Sequence, residues 1–111
     1  MDNQSAIRAF KALAQESRLA IFKLLVAAEP EGMPASTIGR QLGILPSTLS
    51  GHLALLHDAG LVKSRRDGRE IIYSAQLAIM GALVDFLLVD CCDGHETDCT
   101  AIIPRDYLAA P

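Results

Sequence analysis

The 111-residue sequence predicts a mainly helical (α+β) fold with a single β-hairpin. Three observations predict it. Apolar residues recur at spacings of three and four along most of the chain, the helical period. That period gives way to extended runs only around the dipeptide Asp67-Gly68, a strong two-residue hairpin signal. Half of the residues are apolar, yet aromatics supply 5% and Trp none, so the single core is modest and aliphatic.

The elements follow in order. SAIRAFKALA (5–14) places Ile7, Phe10 and Leu13 on one stripe of a short helix. SRLAIFKLLVAA (17–28) continues with Ile21, Leu24, Leu25 and Ala28 on one face, and Ser17 is placed to cap it. EPEGMP (29–34), with two prolines and a glycine, reads as a turn. A short helix over 35–42 ends at Gly43. In ILPSTLSGHLALLHDAGLV (44–62), Pro46 suits the first helical position and Gly60 the stop, with Leu49, Leu53 and Leu56 turned inward. Ser47, Thr48, Ser50, Gly51 and His52 then stand near the start of that helix. Two helices joined by a turn of three or four residues form a helix-turn-helix, whose second helix offers its N-terminal polar residues to base edges in a major groove.

LVKSRR-DG-REIIYS then makes a hairpin carrying Lys63, Arg65, Arg66 and Arg69. A basic hairpin directly after a helix-turn-helix completes a winged helix-turn-helix with a two-stranded β-wing. The last helix, about 77–90, sets Leu77, Met80, Val84, Leu87 and Cys91 at alternating spacings of three and four. This heptad-like seam exceeds what a lone helix needs. It reads as a dimer surface shared with the first helix through Ile7 and Phe10. Residues 1–90 form the DNA-binding and dimerisation domain. Residues 91–111, with Gly94 and Pro104, form a separate C-terminal segment and tail.

Charge is unevenly divided. The net −3 splits into nine Lys/Arg against seven Asp/Glu over residues 1–70 and one Arg against six acids over 71–111. Local patches therefore matter more than the total. No apolar run reaches the ~18–20 residues needed to cross a bilayer. The N-terminus lacks the layout of a signal peptide, so the expected location is cytoplasmic, where thiols stay reduced. No oxyanion-hole motif or phosphate loop accompanies the cysteines and histidines, so the reading is not enzymatic.

SRLAIFKLL, STIGRQLGILPSTLSGHLALLHDAGLV and the RRDGRE wing together resemble the ArsR/SmtB family of small dimeric metal-sensing repressors, over about residues 5–90. The resemblance implies a winged helix dimerised through its N- and C-terminal helices, binding operator DNA and releasing it when a metal binds. It implies base or phosphate contacts from Ser47, Thr48, Ser50 and His52, phosphate contacts from Ser36, Thr37 and Gln41 on the supporting helix, and a wing contact from Lys63, Arg65, Arg66 and Arg69. Two positions depart from the family. Gly51 stands where a basic residue is common, and Leu45 replaces the usual polar cap.

The family's inducer sites can be checked residue by residue. Residues 35–58 hold no cysteine, so a Cys-x-Cys site there is absent. Residues 77–90 offer Asp85 and Asp90 but no His for a zinc site on the last helix. What remains is CCDGHETDC, and Cys91, Cys92 and Cys99 are similar to the ligands of the family's arsenic sensors. Three thiolates complete the trigonal pyramid of As(III) or Sb(III), soft centres that favour sulfur. Adjacent helical residues point about 100° apart. For Cys91 and Cys92 to share an ion the helix must end or loosen there, with Gly94 allowing the return to Cys99. The alternatives are zinc or cadmium held by those thiolates with His95, a thiol switch, and an interaction module that binds no DNA. No other cofactor and no membrane partner is expected.

Overall fold

The computed structural model describes the backbone of residues 1–92 and the side chains of residues 1–88. The order is α1 (Asn3–Leu13), α2 (Glu16–Ala27), β1 (Met33–Pro34), α3 (Ala35–Leu42), α4 (Pro46–Asp58), β2 (Val62–Asp67), β3 (Glu70–Ala75) and α5 (Leu77–Cys92). Among these residues no helix is long and apolar enough to cross a membrane. The expected tail, 93–111, lies outside the described residues.

α1 starts at Asp2, whose carboxylate accepts the Ser5 N–H at 2.7 Å. Hydrogen bonding to the Ser5 side chain and then its backbone holds the Asp2 carboxyl below the usual carboxylate range. The cap is therefore charged at neutral pH and is lost as pH falls through that lowered value. α1 turns Ala6, Ala9 and Ala12 inward, packs Leu13 partly against the core and leaves Ile7 and Phe10 exposed. Three small side chains let this helix lie close against the body of the domain.

α2 is capped by Gln15, whose Oε1 accepts the Arg18 N–H at 2.8 Å. This replaces the expected Ser17 cap: the cap lies two residues earlier, and Ser17 sits inside the first turn of the helix. Its buried face is Ile21, Phe22 and Leu25, with Leu24 partly covered.

The stretch read as a turn at 29–34 also contributes β1, because Met33 and Pro34 pair with Tyr73 and Ile72. The sheet is thus three-stranded and antiparallel, in the order β1-β3-β2. Pro34 lies on an edge, where its missing N–H costs no ladder bond. The hairpin turn is also shifted by one residue. Asp67 pairs with Glu70, so the two central residues are Gly68 and Arg69 rather than Asp67 and Gly68. Gly68, at φ +65°, supplies the left-handed conformation that the first central position of a tight hairpin requires.

The core joins α1, α2, α3, α4, the bases of β2 and β3, and Leu83 of α5. Ile21, Leu25, Ile38, Leu56, Leu61 and Val62 are its largest fully buried side chains. Ile79 and Phe86 dock α5 onto the same cluster.

The turn before β1 runs unusually close to β3. A Cβ on Gly32, at φ +78°, would lie 2.5 Å from the Tyr73 carbonyl oxygen and 2.6 Å from Ser74 Oγ. Gly32→Ala is expected to cost at least ~1–3 kcal/mol, the penalty for holding a side-chain-bearing residue in this conformation. Urea unfolding should show a lower midpoint at unchanged slope. An unchanged midpoint would mean that the turn can draw away from β3 freely.

Candidate nucleic-acid interface

α3 and α4 meet through a tight joint. Gly43 closes α3 at φ +67°, and the Ile44 N–H donates to the Gly39 carbonyl at 3.0 Å. A Cβ on Gly39 would come within 3.0 Å of the Ile44 carbonyl oxygen and 3.4 Å of Leu49 Cδ2. A side chain there would press on the joint, which would have to give by a few tenths of an ångström. Pro46 opens α4, and Leu49, Leu53 and Leu56 bury one side of it. Opposite them Ser47, Gly51 and Ala54 are exposed, with Thr48 and Ser50 also in solvent. The surface that α4 offers is small and polar, suited to entering a groove about 12 Å wide.

His52 is half-buried and turned aside, its Nδ1 3.5 Å from an Arg18 guanidinium nitrogen. Arg18 in turn donates through Nε to the Ala12 carbonyl at 2.7 Å, tying the end of α1 to the middle of α4. On α3, Ser36 and Gln41 are exposed, while Thr37 is half-buried and its hydroxyl oxygen accepts from Arg40 at 3.1 Å. Arg40 was missed by the sequence reading, although it stands four residues after Ser36 on the same helix.

The wing is open. Beyond Val62 every residue of β2 is exposed, including Lys63, Arg65 and Arg66. Strand alternation sets Lys63 and Arg65 on one face of the ribbon and Arg66 on the other. Arg69 lies at the tip. A groove of about 690 Å³ separates the wing from α3 and α4, and Arg69, Glu70, Ser36, Arg40 and Ser50 line its polar parts. Of the expected DNA-contacting residues, Ser36, Ser50 and Arg69 line this one groove together, while His52 is turned toward Arg18. Of the thiol group, Cys91 and Cys92 are the last residues of α5, described in their backbone alone. Cys99 and His95 lie outside the described residues.

A helix-turn-helix with a basic wing, exposed on one side, defines a winged-helix DNA-binding regulator. Known proteins agree. Residues 13–65 match the helix-turn-helix domain family model. The HTH-type transcriptional regulator YbzH of Bacillus subtilis is 38% identical over 93 residues, covering 73% of this chain and 93% of YbzH. A probable mercury resistance operon repressor of Streptomyces lividans is 31% identical over 102 residues, 89% of this chain and 78% of the repressor. Among solved structures, the ArsR-like transcriptional regulator from Rhodococcus sp. RHA1 superposes with a TM-score of 0.70 at 26% identity, covering 90% of this chain and 93% of that one. The homodimeric winged helix-turn-helix domain of Mb0332 from Mycobacterium bovis, a possible ArsR-family regulator, gives 0.62 at 32% identity, covering 83% and 85%. The chain belongs to the ArsR/SmtB-type helix-turn-helix transcriptional regulators, which bind DNA and are not enzymes.

One local feature invites a test. Leu45, at the N-cap of α4, makes no side-chain cap bond and is 72% exposed. Leu45→Ser supplies the missing acceptor and is expected to stabilise the fold by about 0.5–2 kcal/mol. Thermal unfolding should then shift upward by several degrees, at roughly 4–8 °C per kcal/mol for a domain of this size. No shift would mean that solvent already satisfies the first turn of α4.

Proposed function

We propose that the chain is a homodimeric repressor that holds operator DNA through α4 and the wing and releases it when As(III) or Sb(III) binds Cys91, Cys92 and Cys99. The observation that carries this reading is the distribution of exposed apolar side chains. Ile7 and Phe10 of α1 and Leu77, Met80, Val84 and Leu87 of α5 are between 36% and 52% exposed. These are six large apolar residues facing water on the two terminal helices, and a second copy of the chain would cover them. The homodimeric assembly of Mb0332 supports that use of the fold.

The same helix leads to the thiols. Cys91 stands four residues after Leu87 in α5, so the seam proposed for dimerisation runs directly into the cysteine pair. A metalloid drawing Cys91, Cys92 and Cys99 together reshapes the end of a dimer helix and so changes how the two α4 helices are presented. They would otherwise meet successive major grooves about 34–36 Å apart. The soft-metal assignment gains support from the mercury resistance repressor among the relatives. Zinc or cadmium bound with His95 is the competing ligand set, favoured by the acids Asp90, Asp93, Glu96 and Asp98 of the same segment.

The test is release from DNA. The reduced protein on its upstream duplex should dissociate with arsenite, with affinity falling about 5–150-fold for a coupling of 1–3 kcal/mol. Cys99→Ala should bind the duplex equally well and ignore arsenite. Release by zinc alone would instead establish the three-cysteine-plus-His95 site. For the wing, replacing Arg65 and Arg66 with Gln should flatten the salt dependence by about 0.9 log units for each phosphate no longer neutralised. An unchanged slope would remove the wing from the footprint.

A further inference from the structure

The exposed stripe of α4 has a groove on each side. One is the wing groove. The other, of about 670 Å³, lies between α1, the start of α2 and the second half of α4, and is lined by Arg8, Lys11, Ala12, Arg18, Leu55 and Asp58. Three cations and one acid on so small a wall make it the more basic of the two. The wing groove has two cations and one acid.

Its cations occupy a separate face of α1. With Ala6, Ala9 and Ala12 inward and Ile7 and Phe10 on a second face, the 100° step per residue sets Arg8 and Lys11 on a third. Both are exposed, and neither has a side-chain hydrogen bond or ion pair among the described residues. Arg18 fixes this rim to α4 by holding the Ala12 carbonyl on one side and approaching His52 on the other. The rim is therefore rigidly placed relative to the recognition helix and distinct from the apolar patch assigned to dimerisation.

A helix about 10–12 Å across fills a major groove about 12 Å wide, so its two flanks face the two phosphate strands. The wing and α3 serve one flank. We infer that the second groove, through Arg8 and Lys11 with Arg18 behind them, holds backbone phosphates of the strand on the opposite flank of α4 from the wing. This rests on α4 being the helix that enters the major groove. It makes the footprint two-sided, with part of its phosphate grip on helices that precede the helix-turn-helix.

The experiment pairs Arg8→Gln/Lys11→Gln with Arg65→Gln/Arg66→Gln in the full chain, leaving Arg18 in place because it joins α1 to α4. Salt dependence of binding to a duplex of the upstream region should flatten by about 1.8 log units per protomer for the α1 pair, at about 0.9 for each phosphate, equally on specific and random DNA. Phosphate-ethylation interference should lose one set of phosphates in the α1 variant and a different set in the wing variant. An unchanged slope and ethylation pattern in the α1 variant would overturn the inference. If inorganic phosphate perturbs the Arg8 and Lys11 resonances while the duplex does not, the groove is a small-anion site and the inference also fails. Wild-type protein that binds no duplex at low salt would defeat the DNA-docking reading itself. Retained wild-type binding with an unaltered α1 variant would defeat only the second rim.

Discussion

The burial of one face of α2 is the constraint on which the working surface depends. Ile21 and Leu25 have no exposed area and Phe22 has almost none, and α2 touches α1, α3, α4 and β3. Each such side chain contributes on the order of 1.5–3 kcal/mol when removed from water. More important here is geometry. A close-packed aliphatic centre restricts how the helices can sit around it. α4 and the base of the wing are anchored from beneath, by Leu49, Leu53, Leu56, Leu61 and Val62 in the same buried cluster as Ile21, Phe22 and Leu25 of α2.

That arrangement also explains how an acidic chain presents basic surfaces. The net charge is −3, but the excess of acid lies after residue 70, while Arg8 and Lys11 line a groove on one side of α4 and Arg40 and Arg69 a groove on the other. DNA responds to charge within about a Debye length, roughly 8–10 Å at physiological ionic strength. What counts is therefore which charges flank the recognition helix. Arg18 has a particular place in this layout because it spends its guanidinium on the Ala12 carbonyl and the His52 ring. It serves as a strut that keeps α1 in register with α4, so that loss of its side chain would loosen a joint as well as remove a charge.

The helices were legible because their signals are local. Pro46 at the start of α4, Gly43 and Gly60 at left-handed positions, and the Leu49/Leu53/Leu56 stripe all appear where the sequence set them. The failures have a common cause. β1 is two residues long and exists only because β3 lies alongside it, information that no local window around Met33 contains. The hairpin slipped by one residue because Gly68 is needed at the first central position, and Asp67 could join the ladder opposite Glu70. In α1 the sequence reading named Ile7, Phe10 and Leu13, of which the first two are exposed, and the inward face of Ala6, Ala9 and Ala12 shows only in the fold. The candidate surface was legible in part: Ser47, Thr48 and Ser50 of α4 and Lys63, Arg65, Arg66 and Arg69 of the wing, picked out by order and type, are exposed, whereas Arg40 and the Arg8/Lys11 rim needed the folded neighbourhood to acquire meaning.

The route from α5 to the DNA-facing side is short. A Cβ on Gly60 would meet Ile79 of α5 at 3.7 Å, and the Gln76 N–H donates to the Leu61 carbonyl at 2.8 Å. The segment between α4 and β2 is therefore clasped directly by the start of α5. Gly60 and Leu61 are also where α4 hands over to the wing, so both elements share one attachment point. A shift of α5 along its seam would act on that point from one side, while α1, held to α4 by Arg18, would act from the other. Packed cores respond to such loads by changing between discrete arrangements more readily than by bending. Coupling between the end of α5 and α4 then needs no long chain of intermediaries. It needs Ile79, Leu83 and Phe86 to move as one block, which their common packing on the core favours.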